Sequence, residues 1–195
     1  MADLTAPSAE LTQGGTVLEA TSTTRELSMG TDIQDQAEVQ SRLWREIEKH
    51  QIGMLGVVGG EPQHFQPMTA FAEPGDNRLW FFAYSDADLA ETAGATGHAA
   101  MFVFQRDREI YACVGGVVRV LQDRERMDRY WNAAVSAWYP QGKDDPRLTM
   151  LCLDATDAEV WITEAGPIRY AWELAKANAT GTQPDVGGHT SVNLH

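Results

Sequence analysis

The chain has 195 residues, 43% of them apolar, which suits one domain with a hydrophobic core. Its formal net charge is -13, from 15 basic and 28 acidic residues. Proteins bind nucleic acids and anionic membrane surfaces through clustered Lys and Arg side chains. The acidic balance therefore argues against a nucleic-acid-binding protein and against one that adsorbs to a membrane surface.

Cysteine and histidine usage indicates neither disulfides nor a metal site. The two cysteines, Cys113 and Cys152, each lie inside an apolar run, and the five His lack the spacing of metal ligands. Residues 1–10 lack the basic and apolar regions of a secretory signal, and no apolar run reaches the ~20 residues of a membrane helix. We therefore expect a cytoplasmic protein with free thiols, no metal and no membrane span.

The amino-terminal part is predicted as a tail, a helix and a strand. Residues 1–35 are rich in small and polar residues and show no sustained hydrophobic period, which predicts a flexible tail. Apolar residues then fall on one helical face over 37–50, and Gly53 is the expected stop of this helix. The continuous apolar run Ile52–Val58 predicts the first strand.

A hairpin and a short helix are predicted next. Two apolar, aromatic strands, Gln63–Ala72 and Arg78–Ala83, flank the turn sequence Glu73-Pro74-Gly75-Asp76-Asn77. Their large, flat and uncharged side chains suit a planar ring better than a sugar or an ion. The Ala-rich segment Ser85–Thr96 is predicted as a helix.

The middle of the chain predicts two strands and a long helix. The strands are Ala99–Gln105 and Ile110–Leu121, and Gly115-Gly116 indicates a bulge inside the second. Apolar and aromatic residues recur at helical spacing from Asp123 to Trp138, which predicts one helix.

The last third is predicted as two strands, a helix and a tail. The strands are Leu148–Asp154 and Ala158–Thr163, the helix is Pro167–Ala179 and the tail is 180–195. The ordered domain thus spans 36–179. Its strands follow one another with short connections, which predicts a mainly β protein, a small antiparallel barrel with flanking helices.

The aromatic residues leave two interpretations open. Trp131, Trp138 and Tyr139 have the spacing of core residues on a helix, and alternate residues of Trp80-Phe81-Phe82 face opposite sides of a strand. Either these residues only pack the core or some of them line a site for a planar ligand. No Gly-rich dinucleotide loop, phosphate-binding loop or nucleophile elbow occurs in the sequence.

Three groups of segments carry a resemblance to a known family. They are Glu38–Val58 with Gln66-Pro67-Met68-Thr69, then Leu79-Trp80-Phe81-Phe82 with Ser85, and finally Tyr130-Trp131, Trp138–Pro146 and Glu159-Val160-Trp161. In these segments the chain resembles the FMN-binding split β-barrels related to pyridoxamine 5′-phosphate oxidase, and most of all their bacterial general stress protein branch.

The resemblance implies a six-stranded antiparallel split β-barrel that forms a homodimer with FMN at the dimer interface. The strands at 66–69 and 81–83 would contact the flavin, and the turn at Tyr84-Ser85 with the following helix start would reach toward its phosphate. The partner subunit would contribute the region Trp131–Tyr139. The implied cofactor-binding residues are Gln66, Pro67, Met68, Thr69, Phe81, Phe82, Ala83, Tyr84, Ser85, Leu89, Trp131 and Trp138.

The chain departs from the family at the phosphate. Gln66 stands where the family often has Arg, and Leu89 stands where it often has Lys. Charge-assisted hydrogen bonds are worth about 1.5–3 kcal/mol each, so their loss weakens a phosphate site. Backbone N–H groups, or one of Arg106, Arg108 and Arg119, are possible replacements.

Two functions therefore stay open. The first is an FMN-dependent oxidoreductase with an unknown acceptor, and no catalytic residue is evident in the sequence for it. The second is a non-enzymatic dimeric binding module in which flavin binding is altered or lost. A deazaflavin enzyme shares the fold, but the acidity of the chain counts against its polyanionic cofactor.

Overall fold

The computed structural model describes residues 31–32, 35–59, 64–163, 167–185 and 187–194. The helices are α1 Gln36–His50, α2 Asp88–Ala93, α3 Arg124–Tyr130, α4 Ala133–Trp138 and α5 Pro167–Thr180. The strands are β1 Thr31–Asp32, β2 Ile52–Val57, β3 Gln66–Thr69, β4 Phe71–Glu73, β5 Arg78–Tyr84, β6 His98–Arg106, β7 Ile110–Leu121, β8 Leu148–Ile162 and β9 Gly188–Asn193.

The strands form one curled sheet that closes on itself as a split barrel. Its order is β1-β9-β8-β7-β6-β2-β3, and β5 pairs with both β8 and β4. β3 and β4 are separated only by Ala70, yet β3 pairs with β2 and β4 pairs with β5. The strands β2 and β5 lie toward opposite ends of the sheet. The chain passes from one to the other between β3 and β4, and this connection closes the barrel. The mainly β split barrel is confirmed, with more strands than the expected six.

The interior of the barrel is filled from alternate residues of each strand. On β5, Leu79, Phe81 and Ala83 point inward and are buried with Phe102 of β6 and other apolar side chains. The helix α1 closes one end of this interior with one apolar face, which includes Val39, Leu43, Trp44 and Ile47. Alternation along β5 therefore decides which aromatic residues belong to the core.

The predicted helix at 37–50 is confirmed as α1, but its end differs from the expectation. Asp35 caps the first turn through its side chain, and Gln51 ends the helix in the left-handed conformation at φ 52°. Gly53 instead lies inside β2, where a Cβ would come within 2.3 Å of the Phe102 ring. This glycine is therefore needed for close packing and not as a helix stop.

The predicted hairpin is correct only in its second part. Phe71–Glu73 pairs with Arg78–Tyr84 around the short helical turn Pro74–Asp76, whereas Gln66–Thr69 leaves for β2. The helix predicted over Ser85–Thr96 is shorter and is observed as α2.

The predicted helix from Asp123 to Trp138 is in fact two helices. Trp131 is extended, and the side chain of Asn132 accepts hydrogen bonds from the N–H groups of Ala134 and Val135, at 2.9 and 3.0 Å. This N-cap starts α4 in a new direction.

Two further corrections concern the end of the chain. The strands predicted at Leu148–Asp154 and Ala158–Thr163 form the single strand β8, whose first half pairs with β5 and whose second half pairs with β9. The expected bulge is confirmed as a register shift between Gly115 and Gly116. The predicted tail at 180–195 contains β9, so the sheet extends past 179. The predicted amino-terminal tail lies mostly outside the described residues.

A second apolar cluster lies on the outer side of the sheet. Phe71 of β4, Trp80 and Phe82 of β5, and Met150 and Cys152 of β8 are buried there. The helices α3 and α4 cover this cluster with Met127 and Val135. None of the helices within the described residues is long and apolar enough to cross a bilayer.

Candidate functional site

A cleft of about 450 Å³ opens between β3, the end of β5 and α4. Its volume is typical of small-molecule sites, which span about 300–1,000 Å³. Its lining consists of Gln51, Ile52, Pro67, Met68, Thr69, Phe71, Phe82, Tyr84, Asn132, Ala134, Val135, Trp138 and Tyr139. The cleft is thus apolar and aromatic, and all of its lining residues are uncharged.

One wall of the cleft is a set of interlocked aromatic rings from the outer cluster. Phe82 packs edge-on to Phe71 with ring centroids 5.8 Å apart, and Tyr139 packs against Tyr84 at 5.1 Å. Phe82 and Tyr139 are also in contact, at 6.0 Å. Mutual packing fixes these rings, so the wall is rigid before any ligand arrives.

The opposite rim is open and carries an exposed aromatic residue. Trp138 ends α4 and is 80% exposed, although it lines the cleft. Pro67 and Thr69 of β3 are also exposed. Burial raises the pKa of Tyr139 to about 12, so its phenol stays protonated near neutral pH.

The helices α3 and α4 form a cover over the outer apolar cluster. The carboxylate of Glu73 attaches α3 to the sheet. Arg126 donates to both carboxylate oxygens at 3.1 Å, Tyr130 donates at 2.8 Å and the indole of Trp80 donates at 3.0 Å. The guanidinium of Arg126 also lies 4.6 Å from the Trp80 ring centroid. Burial would raise the pKa of Glu73, but the hydrogen bonds from Arg126, Tyr130 and Trp80 outweigh it and lower that pKa.

Arg147 stacks on Tyr84 at one end of the cleft wall. The guanidinium carbon of Arg147 is 4.6 Å from the Tyr84 ring centroid, and the backbone N–H of Ser85 donates to the carbonyl of Arg147 at 2.7 Å. Arg147 donates through Nη2 to Asp145 at 3.2 Å. The end of β5 is thereby joined to the loop before β8.

Comparison with known proteins agrees with this fold. The sequence model of the family described as pyridoxamine 5′-phosphate oxidase like matches residues 38–185. The chain belongs to this family. No curated protein matches the sequence significantly.

Several solved structures are similar to the chain. A protein from Jannaschia sp. CCS1 described as general stress protein 26 is 31% identical, with a TM-score of 0.67 over 80% of this chain and 99% of that one. A general stress family protein from Xanthomonas campestris is 34% identical, with a TM-score of 0.61 over 68% and 92% of the two chains. The general stress FMN/FAD binding protein of Xanthomonas citri is 34% identical, with a TM-score of 0.61 over 66% and 92%.

The structure brings together half of the residues that the resemblance to the pyridoxamine 5′-phosphate oxidase like family implies. Pro67, Met68, Thr69, Phe82, Tyr84 and Trp138 all line the cleft. The region 131–139 was expected from a partner subunit. In the structure, α4 of the same chain lies beside β3 and forms part of the cleft lining.

The other implied residues lie elsewhere. Phe81, Ala83 and Leu89 are buried in the barrel interior, so their side chains do not reach the cleft. Trp131 packs in the outer cluster against Phe82, at 5.8 Å. The exposed Ser85 follows β5 and is not part of the lining.

Gln66 also lies outside the cleft lining. It begins β3 and pairs with the buried Leu55, at the opposite end of the strand from Thr69, which pairs with Ile52. Gln66 shares a face of β3 with Met68, and Met68 lines the cleft, so its distance along the strand separates Gln66 from the site.

The arginines considered as replacements for the missing cations do not line the cleft either. Arg106 is paired with Glu46 at 2.6 Å, and Arg119 is paired with Asp154. Arg108 is exposed in the turn between β6 and β7.

The sequence did not identify three of the remaining lining residues, Gln51, Ile52 and Phe71, and it named Asn132, Ala134, Val135 and Tyr139 only as part of the region Trp131–Tyr139. One local signal was present, because Asn before a run of helix-forming residues is a common N-cap. The position of Gln51 depends on the crossing from β3 to β4, where its carbonyl accepts from Ala70 at 2.7 Å. No local pattern predicts such a contact.

Proposed function

We propose that the protein is a flavoprotein that binds FMN in the cleft between β3, β5 and α4 and acts as an oxidoreductase. The observation that carries this proposal is the aromatic, uncharged lining of a cleft of about 450 Å³. Such a lining suits a planar ring with a largely apolar face. The 34% identical Xanthomonas citri protein, described as FMN/FAD binding, supports a flavin as the ligand.

The chain's own residues supply binding and orientation. Phe82 and Tyr84 form the rigid wall, Trp138 covers the ring from the open rim, and Thr69 and Asn132 supply polar groups at the edges. The flavin would supply the hydride or electron transfer. Since all lining residues are uncharged and Tyr139 keeps its proton, no lining side chain is set up as a general base.

We further propose a homodimer, because one outer face of the barrel is apolar and exposed. Met54 of β2, Met101 and Val103 of β6, and Tyr111 of β7 lie on this face, each about 40% exposed. Contiguous exposed apolar surface commonly marks a protein interface. Ile52 continues the face into the cleft lining, so a second subunit on this face would adjoin the cleft.

The second candidate is a binding module without redox chemistry. The uncharged lining favours it, since the cleft offers no cation of its own to a phosphate. For both candidate functions we propose a cytoplasmic location. The free thiols of Cys113 and Cys152 support it, since unpaired cysteines are typical of that compartment.

Spectroscopy of the purified protein tests the flavin. We expect a yellow protein whose visible bands bleach with dithionite, or an apoprotein that binds added FMN at micromolar concentration and quenches its fluorescence. Ala134→Trp should fill the cleft and abolish binding, because Ala134 lines the cleft from α4. Ala137→Trp is the matched control, since Ala137 is exposed on the same helix outside the lining.

A colourless protein that does not bind added FMN would refute the flavin proposal. Bound flavin that dithionite reduces, but that turns over with none of a panel of quinone, dye and oxygen acceptors, would favour the binding module.

A further inference from the structure

One cation, the guanidinium of Arg147, lies next to the cleft without being part of its lining. Arg147 stacks on Tyr84, and Tyr84 lines the cleft. The hydrogen bond from the Ser85 N–H to the Arg147 carbonyl holds this arginine at the end of β5. A ligand that packs at the Tyr84 end of the cleft therefore lies close to this guanidinium, which is 4.6 Å from the Tyr84 ring centroid.

Arg147 lies between two carboxylates but keeps N–H donors that none of the described hydrogen bonds uses. Nη2 donates to the buried carboxylate of Asp145 at 3.2 Å, and the backbone N–H of Arg147 donates to the same carboxylate at 2.9 Å. Nη1 lies 3.6 Å from Asp86, beyond hydrogen-bond distance, and the Asp86 side chain is 59% exposed. A guanidinium has five N–H donors, so an incoming anion can still be bound.

We propose that Arg147 binds the phosphate of FMN and supplies the cation that the chain lacks at Gln66 and Leu89. This inference rests on the proposed flavin site. The phosphate lies at the Tyr84-Ser85 end of the cleft and takes the outward donors of Arg147, while Nη2 keeps Asp145. Asp86 competes with the phosphate for the same guanidinium.

Arg147 thereby determines specificity between phosphorylated and unphosphorylated flavin. Riboflavin has the same ring and no phosphate, so it uses the apolar cleft and gains nothing from Arg147. The alternative role of Arg147 is structural, as the counter-ion of Asp145. The two roles differ in one measurable quantity, the ratio of FMN to riboflavin affinity.

The test measures the dissociation constants of FMN and riboflavin by fluorescence quenching for the full chain and three variants. Arg147→Gln should weaken FMN about 10- to 100-fold, the size of one charge-assisted hydrogen bond, and leave riboflavin unchanged. Asp86→Asn should tighten FMN several-fold, because it removes the competing carboxylate. Arg108→Gln is the control, an exposed arginine in the turn between β6 and β7, and should change neither constant.

The outcomes separate this inference from the flavin proposal. If Arg147→Gln weakens FMN and riboflavin equally, or changes neither, the phosphate role is wrong. If that variant fails to fold, unchanged FMN affinity in Asp86→Asn refutes the inference, whereas tighter FMN with unchanged riboflavin supports it. If the unmodified protein binds neither flavin, the proposed function itself fails.

Discussion

The outer surface of the barrel is apolar on two sides, and within the described residues only one of them is covered by helices. On β5 and β8, Trp80, Phe82 and Met150 are buried under α3 and α4. On β6, Met101 and Val103 have the same outward orientation and are 39% exposed. The covered side has a polar attachment for α3, the Glu73 carboxylate, whereas the centre of the open side is formed by the apolar side chains of Met54, Met101 and Val103.

This difference explains where the cleft lies. The cleft lies where the two sides meet. Val135 of α4 and Tyr139, which follows α4, line one flank, and Ile52, which continues the open face, lines the other. One flank is therefore complete within a single chain, and the other is completed only if a second subunit packs on the open face. Each of the following substitutions or pH changes acts on the covered side, on the open side or on the cleft between them. We expect the structure of the rest of the barrel to stay unchanged.

The largest effect is expected from loss of the attachment of the cover. Glu73→Ala removes a carboxylate that is 13% exposed and leaves Arg126, Tyr130 and Trp80 without their common acceptor. Breaking a largely buried, hydrogen-bonded pair costs about 3–5 kcal/mol at full burial, so we expect about 2–4 kcal/mol here. Urea unfolding measures this loss.

The control for Glu73→Ala is Glu125→Ala. Glu125 pairs with Arg129 of the same helix, but its side chain is 79% exposed, so its loss should cost less than about 0.5 kcal/mol. Equal stabilities of the two variants would show that Glu73 does not hold the cover in place.

On the open face, Val103→Asp should dissociate the proposed dimer. A charge buried at the centre of an apolar interface is left unpaired, and we expect the dimer dissociation constant to rise at least about 100-fold, or about 2.7 kcal/mol. Sedimentation velocity measures the change in mass, and urea unfolding of the monomeric variant should show an intact barrel.

Leu174→Asp is the matched control on α5, since Leu174 is also 39% exposed but belongs to a helix and not to β2, β6 or β7, which form the open face. Dissociation by Leu174→Asp without dissociation by Val103→Asp would place the interface on α5, and the assignment of the open face would be wrong.

Local sequence patterns predicted the elements of the barrel well, because strands and turns have strong local signals. β7 was predicted with its observed bounds, and Gly115-Gly116 marked its bulge. The break at Trp131 and Asn132 was missed because the apolar period continues across it. The partner of β3 was missed because Gln63–Ala72 was predicted as one strand, whereas the chain divides at Ala70, so that β3 pairs with the preceding strand β2 and β4 pairs with the following strand β5.

The candidate site was predicted less completely, for related reasons. The resemblance located the aromatic wall at Phe82 and Tyr84, but the register of β5 places Phe81 and Ala83 in the interior. Arg147 was missed because it is remote from Tyr84 in sequence, and only the pairing of β5 with β8 brings the two together.

A moderate effect is expected at the boundary itself, from Trp138→Ala. Trp138 is 80% exposed, so its loss should barely change stability, but it removes an aromatic surface from the cleft. Aromatic contacts contribute about 0.5–1.5 kcal/mol beyond area burial, so FMN affinity should fall about 10-fold. Fluorescence quenching measures the affinity. Trp172→Ala, at an exposed Trp of α5, is the control, and an equal loss of affinity there would contradict the role of Trp138 in the cleft.

The smallest effect is expected from acid acting on the cover. The folded-state pKa of Glu73 is lowered, so its ion pair stabilises the fold fully above the unfolded pKa of about 4.3, and this contribution is lost as the pH falls through the folded pKa. Glu73→Gln cannot titrate at this position. The difference in unfolding free energy between the two proteins should therefore be constant above about pH 5 and shrink below the unfolded Glu pKa of about 4.3.

Urea unfolding at a series of pH values measures this difference, and a difference that stays constant to about pH 3 would contradict the lowered pKa. Because the side chains of Met54, Met101 and Val103 do not titrate, acid should weaken the cover without a matching effect at these three residues of the open face. Loss of flavin in acid before loss of the dimer would then show that the two flanks of the cleft are held by different forces.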